Sequence, residues 1–272
     1  MLILAATPIG NLSDASPRLL SALAEAKVIA CEDTRTLSHL ATALGVKLQA
    51  KLISLHDHNE RESTTRILEL ATEAEVLLVS DAGMPTISDP GYNLVRACAE
   101  AGVEVSVIPG PSAVIAALAI SGLPTDRFSF EGFLPRKSGE RVRVFESLAR
   151  ESRTMIFFEA PHRILDALVD AESVFGPDRE AAVVRELTKK FEHAERGTLN
   201  QLVQWAKTEP RGEMVLVIAG AAQEDHDYDA LAAKALQLAG EGLGMKAAAA
   251  ELARATGASK SVIYEHALRL KA

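Results

Sequence analysis

Cysteine is scarce in this chain: Cys31 and Cys98 are the two among 272 residues. One pair cannot build a disulfide framework, and no cluster of Cys and His has the spacing of a zinc site. No apolar run reaches membrane-spanning length, and no basic, signal-like region opens the chain. These absences predict a globular cytoplasmic protein of a reducing compartment, with no metal and no membrane partner. Positive charge is also in deficit, with 29 Lys and Arg against 37 Asp and Glu, a net charge of −8. That disfavours indiscriminate electrostatic binding to nucleic acid but leaves room for a local basic patch. The dinucleotide fingerprint Gly-x-Gly-x-x-Gly and the phosphate loop Gly-x-x-x-x-Gly-Lys-Ser/Thr are both missing, and no internal repeat is found.

What is present is alternation. Short apolar runs at 2–6, 28–31, 51–55, 76–80 and 103–108 read as strands. Amphipathic patterns at 17–26, 36–44, 61–73, 92–101 and 112–119 read as the helices between them, which predicts a parallel sheet covered by helices. Gly122-Leu123-Pro124-Thr125-Asp126 reads as a linker. Strands follow at 128–133, 154–158, 181–186, 191–196 and 214–219, with helices at 139–149, 162–175 and 199–207. The short connection between the strands at 181–186 and 191–196 predicts an antiparallel pair, hence a mixed second sheet. An acidic joint, Gln223-Glu224-Asp225-His226-Asp227-Tyr228-Asp229, leads to helices at 230–238, 245–255 and 259–270. The expected fold is therefore α/β: a parallel-sheet domain over 1–121, a mixed-sheet domain over 122–222, and a helical, helix-turn-helix-like tail over 223–272.

Three breaker-rich loops follow strands of the first sheet. They are Ala6-Thr7-Pro8-Ile9-Gly10, Ser80-Asp81-Ala82-Gly83-Met84-Pro85 through Asp89, and Pro109-Gly110-Pro111-Ser112-Ala113. Each by itself reads equally as a turn that caps a helix. Open α/β sheets place ligands at this carboxyl edge, so three such loops together point to a site. A helix start with small residues suits a carboxylate or similar polar group. Within the longest loop Asp81 is the ligand candidate and Asp89 the structural residue. Polar clusters at two more strand ends, Cys31-Glu32-Asp33-Thr34-Arg35 and His56-Asp57-His58-Asn59-Glu60, are helix caps or site residues. A metal role for His56 and His58 lacks a third ligand. In the second half, His162 fits a helix start, and Lys189 and Lys190 fit either a solvated hairpin tip or a phosphate contact.

Ala5-Ala6-Thr7-Pro8-Ile9-Gly10-Asn11-Leu12, Cys31-Glu32-Asp33-Thr34-Arg35, Ser80-Asp81-Ala82-Gly83-Met84-Pro85, Pro109-Gly110-Pro111-Ser112-Ala113 and Phe158-Glu159-Ala160-Pro161-His162-Arg163 occur in this order. Together they resemble the ribosomal RNA methyltransferase branch of the tetrapyrrole methylase superfamily. The resemblance implies two α/β domains that hold S-adenosylmethionine between them, usually as a homodimer. It also implies methyl transfer to a cytidine ribose 2′-hydroxyl in small-subunit ribosomal RNA. Carried across the matched motifs, it assigns cofactor contact to Pro8, Ser80, Asp81, Ala82, Gly83, Ile87, Ser112, Ala113, Phe158, Glu159 and Gly197. Tetrapyrrole-modifying members are richer in glycine in the first loop, where this chain departs from them.

In-line methyl transfer requires alignment of nucleophile and methyl group, and help with loss of the hydroxyl proton. The candidates are Asp33 and His56 on the acceptor side, Arg35 for phosphate or ribose, and Lys189 from the second domain. For RNA, residues 127–153 carry seven basic against four acidic side chains, and residues 230–271 carry six against three. Arg141 and Arg150 read as solvated helix-face residues or RNA contacts, and the tail as a phosphate-gripping unit or a plain helical hairpin. A corrin or porphyrin precursor or a modified protein side chain is an alternative acceptor. A ligand-sensing DNA-binding regulator is the alternative outside enzymes.

Overall fold

Five short strands of the computed structural model assemble first: β1 (Leu2–Ala5), β2 (Val28–Cys31), β3 (Lys51–Ser54), β4 (Val76–Val79) and β5 (Val105–Ile108). They lie in the order β3-β2-β4-β1-β5 and are all parallel, so all five carboxyl ends share one edge. The structure describes residues 1–56, 59–222 and 227–271. His58, Asp57 and residues 223–226 of the acidic joint fall outside them.

Helices α1 (Pro17–Glu25) and α2 (Thr34–Ala43) cover one face of this sheet, where Leu19, Leu23 and Leu37 pack on Ile29 and Leu77. On the other face, α3 (Glu60–Glu73) and α4 (Tyr92–Glu100) bring Ile67, Leu94 and Cys98 onto Leu2, Ile53 and Leu78. Strand β4 is buried along its whole length, which explains its unbroken Val-Leu-Leu-Val run.

The next helix, α5 (Ala113–Ser121), does not return to that sheet. Its Val114, Ala117 and Leu118 pack on Ile156, Val184, Val215 and Val217 of the second sheet. Eight of the nine residues Ala-Val-Ile-Ala-Ala-Leu-Ala-Ile-Ser are apolar, so no polar face fixes which sheet the helix covers.

The second sheet has the order β6-β7-β10-β8-β9, formed by β6 (Phe128–Phe133), β7 (Thr154–Glu159), β8 (Glu180–Arg185), β9 (His193–Thr198) and β10 (Met214–Ile218). Strands β6 and β7 are parallel and the other neighbours antiparallel, so the sheet is mixed as its connections predict. Its far face is covered by α6 (Ser138–Ser147), α7 (Ile164–Phe175) and α8 (Leu199–Ala206) over a core containing Phe145, Phe157, Leu168 and Leu216. Strand β9 begins two residues later than expected. The intervening Glu186 and Thr188 take left-handed φ values of 51° and 64°, turning the chain before pairing resumes.

Residues Met1–Gly220, with both sheets, form one compact unit, and Ala221–Ala272 form another. The second unit contains α9 (Tyr228–Gly240), α10 (Met245–Thr256) and α11 (Lys260–Lys271) around a core of small side chains, including Ala232, Ala235, Ala248 and Ala249, with Ile263 among them. Gly257, at φ 76°, ends α10 and allows a three-residue turn into α11. Among the described residues no helix is long and apolar enough to cross a membrane.

Candidate active site

The three loops at the first sheet's carboxyl edge are tied together. Thr7 donates its amide to the Gly83 carbonyl at 2.9 Å, and Gly83 returns an amide to Thr7 at 3.2 Å. Gly83 has φ 83°, and a Cβ there would lie 3.3 Å from Ile9 Cγ2 and 3.7 Å from the Pro111 carbonyl. Only glycine meets both the backbone angle and that crowding without strain. A Cβ at Gly110 would come within 2.9 Å of the Ala6 Cβ, so the third loop is pressed onto the first.

Over this junction, facing the second sheet, lies a cavity of about 380 Å³. That is an ordinary size for a small-molecule site. Of the residues assigned to cofactor contact, Ala82, Gly83, Ile87, Ser112 and Ala113 line it from the first half of the chain, and Phe158 and Glu159 from the second. The other four are not on its wall. Pro8 is buried beside Thr7. The Ser80 hydroxyl is turned between the Gly83 carbonyl, at 3.1 Å, and Asp89. Asp81 accepts the Asp33 amide at 3.3 Å, joining the β4 and β2 loops. Gly197 pairs with Ala181 in β9, where a Cβ would strike Gln201 Oε1 of the box that caps α8.

Asp89 lines the cavity, although the sequence marks it as structural. Burial pushes its carboxyl up to about 6, the negative charges of Glu32 and Asp81 add to the rise, and the Ser80 hydroxyl opposes it. The signal available in the sequence was its place in the same loop as Asp81. The Cys31 thiol beneath is pushed up to about 12 by burial and by Asp81 and Asp33, which leaves it inert.

The four catalytic candidates, Asp33, Arg35, His56 and Lys189, lie off the cavity wall. Asp33 is the N-cap of α2, accepting the Arg35 amide at 2.7 Å, and its other oxygen meets Arg35 Nη2 at 2.7 Å. Those hydrogen bonds hold its carboxyl down to about 2, so it is a weak base at neutral pH. His56 ends the neighbouring strand, its amide donating to Asn59 Oδ1 at 2.8 Å. Lys189 stands against Gly10 of the first loop, where a Cβ would lie 2.7 Å from Lys189 Cγ. Its ammonium donates to Glu186 at 3.1 Å and to the cavity residue Glu213 at 3.0 Å. Burial pulls that ammonium down, but the two carboxylates more than offset it and it stays charged.

On the second sheet, the Glu159 side chain is fully enclosed, with one oxygen on the Ala160 amide at 2.8 Å and the other 3.2 Å from Arg163 Nη2. Burial pushes its carboxyl up, and the Ala160 amide and Arg163 restrain the rise. Arg141 is neither solvated nor exposed. It is paired with Asp170 at 2.6 Å with both side chains largely buried, because α6 and α7 pack at that point. Four of the five non-glycine residues with left-handed φ among the described residues flank the cavity: Thr86, Ser88, Glu186 and Thr188. Such conformations cost about 1 kcal/mol or more each and gather where the surroundings fix a site. Among the described residues no cluster of three or more His, Cys, Asp or Glu is placed to hold a metal ion.

Two α/β layers with a ligand-sized cavity between their loops define the class of molecule, a two-sheet α/β fold with a small-molecule site. The family profile of Tetrapyrrole (Corrin/Porphyrin) Methylases matches residues 1–203. The structure is similar to that of the methyltransferase CobJ, with a TM-score of 0.60 at 20% identity, covering 83% of this chain and 96% of that one. It is also similar to uroporphyrin-III C-methyltransferase from Thermus thermophilus complexed with S-adenosylhomocysteine, with a TM-score of 0.54 at 19% identity over 80% and 96% of the two chains. Ribosomal RNA small subunit methyltransferase I of Mycobacterium tuberculosis is 46% identical over 270 residues, 98% of this chain and 94% of the relative. The chain belongs to the tetrapyrrole methylase family, in its ribosomal RNA small subunit methyltransferase I branch.

Proposed function

We propose that this protein transfers the methyl group of S-adenosylmethionine to the 2′-hydroxyl of a cytidine ribose in small-subunit (16S) ribosomal RNA. The observation that carries the reading is the 46% identity along 98% of the chain to a small-subunit ribosomal RNA methyltransferase. The first-loop departure and that identity favour RNA over a tetrapyrrole acceptor.

The cavity fits the cofactor. Its apolar wall, with Ile87 and Phe158, suits a base and a thioether stem, and Asp89 sets a carboxyl group on it for a cationic ligand, while the enclosed Glu159 carboxyl acts from behind the wall. Ser112 does not cap α5 with its side chain, which leaves the first-turn amides of Ala113 and Val114, both cavity-lining residues, available to a carboxylate. The four assigned residues off the wall act from beneath, with Pro8, Ser80 and Asp81 shaping the loops and Gly197 fixing α8. When bound, the cofactor supplies a methyl group made electrophilic by its sulfonium.

The chain's own contribution is positioning. Asp33 and His56 set the acceptor side, with Asp33 as a fixed negative charge that orients Arg35. Arg35 and Lys189 hold RNA phosphate or ribose. A homodimer acting in the cytoplasm on small-subunit RNA completes the reading.

The test uses methyl-labelled cofactor with either small ribosomal subunits or naked 16S RNA, followed by digestion to nucleosides. Label is expected on the ribose of a cytidine, and no label on either RNA overturns the proposal. Full single-turnover activity in both Asp33→Ala and His56→Ala would remove those residues from the acceptor side.

A further inference from the structure

An aromatic ring stands uncovered at the mouth of the cavity. Phe133 lines the cavity yet is 64% exposed, an unusual cost for a side chain that could have been buried. The backbone presents it deliberately. Between Phe130 and Phe133, β6 uses one residue more than its partner β7, where Ile156 and Phe158 are the matching positions. Gly132 accommodates the extra residue with φ 74°. Such a bulge re-aims a side chain, and bulges gather beside active sites. Phe133 then rests edge-on against Phe158 at 5.3 Å, which leaves a face of its own ring to the outside.

The segment that follows is anchored from below and cationic above. Arg163 Nη2 donates to the carbonyls of Leu134 and Pro135, both at 2.8 Å, and the buried Arg141 donates to Pro135 at 3.3 Å. Arg136 and Lys137 project outward as exposed side chains. Among the described residues Arg136 has no ion-pair partner, and Lys137 has an exposed pair with Glu140 at 3.2 Å, which is readily exchanged. A fixed ring with two adjacent cations is the combination that binds unstacked nucleotides, the ring taking a base and the cations its phosphates. In a chain of net charge −8, this local excess fits a polyanion.

We propose that Phe133 is the stacking platform for a splayed base of the substrate RNA, with Arg136 and Lys137 holding the adjoining phosphates. The proposal rests on the RNA methyltransferase reading above and adds where the strand enters the site.

The experiment measures KM for small ribosomal subunits and, separately, calorimetric Kd for S-adenosylmethionine. It compares the full-length protein with Phe133→Ala, Phe133→Trp and the double variant Arg136→Ala/Lys137→Ala. Phe133→Ala is expected to raise KM for the subunit roughly five- to hundredfold. Because the ring also stands at the mouth of the cofactor cavity, its cofactor Kd should rise by far less than KM, and Phe133→Trp should restore KM. The double variant should lower the slope of log KM against log salt by roughly one to two. Wild-type KM in Phe133→Ala overturns the platform, as does a cofactor Kd that rises in step with KM. Either result, obtained while the wild-type protein methylates RNA, leaves the assigned function standing. No methylation of RNA by the wild-type protein overturns both.

Discussion

Asp89 carries the clearest residue-scale consequence. Its carboxyl titrates at about 6 in the folded chain against an ordinary 3.8, so the folded state holds the proton more tightly. Well below pH 3.8 both states are protonated and the residue costs nothing. As pH rises from about 4 to 6 the unfolded chain ionises first, stability falls, and the loss is complete above about 6. Asp89→Asn should therefore stabilise the cofactor-free protein by about 2 kcal/mol at pH 8 and by about 0.5 kcal/mol or less at pH 4. The full shift is worth about 3 kcal/mol, and solvent at this half-buried carboxyl reduces it. Urea denaturation at the two pH values measures this, and equal gains at both would refute it. Gly83→Ala should do the opposite, costing about 1–2 kcal/mol through its left-handed backbone. Because its Cβ would press on Ile9, the same change should also weaken cofactor binding, read by calorimetry.

At the scale of elements, the pairing of Arg141 with Asp170 joins α6 to α7 and supports the Phe133 segment through Pro135. Arg141→Ala leaves a largely buried carboxylate unpaired and should cost about 3 kcal/mol in denaturant unfolding. A loss under about 0.5 kcal/mol would mark the pair as an ordinary surface contact. Nothing in the helical pattern of residues 139–149 distinguishes this buried arginine from exposed Arg143, since its partner lies 29 positions away; Arg150, expected on the same helix, lies in the turn past its end. Strands such as β4 and β10 were legible because burial on both faces demands unbroken apolar runs. The destination of α5 was not, because a helix apolar on all sides fits either sheet. Within the site, the gathering of three loops could be read from their shared strand edge. The Phe133 bulge and the Asp89–Glu32–Asp81 neighbourhood depend on long-range registers that local spacing does not encode.

For the whole molecule, the division at Gly220 predicts separable folding. The cavity-lining residues all lie before it, and the small-residue core of α9–α11 is complete after it. A chain ending at Gly220 should melt cooperatively and bind S-adenosylmethionine with a Kd within about threefold of the full-length protein. Calorimetry on the shortened chain decides it, and a tenfold loss would tie the helical unit to the cofactor site. No comparable cut exists between the two sheets after α5, because that helix is core to the second sheet while its first turn walls the cavity. Fragment complementation should expose this. Two pieces divided within residues 109–112 each keep their hydrophobic faces and should reassemble into an active enzyme. Pieces divided at 122 strand α5 on the wrong fragment, and these should aggregate before they find each other.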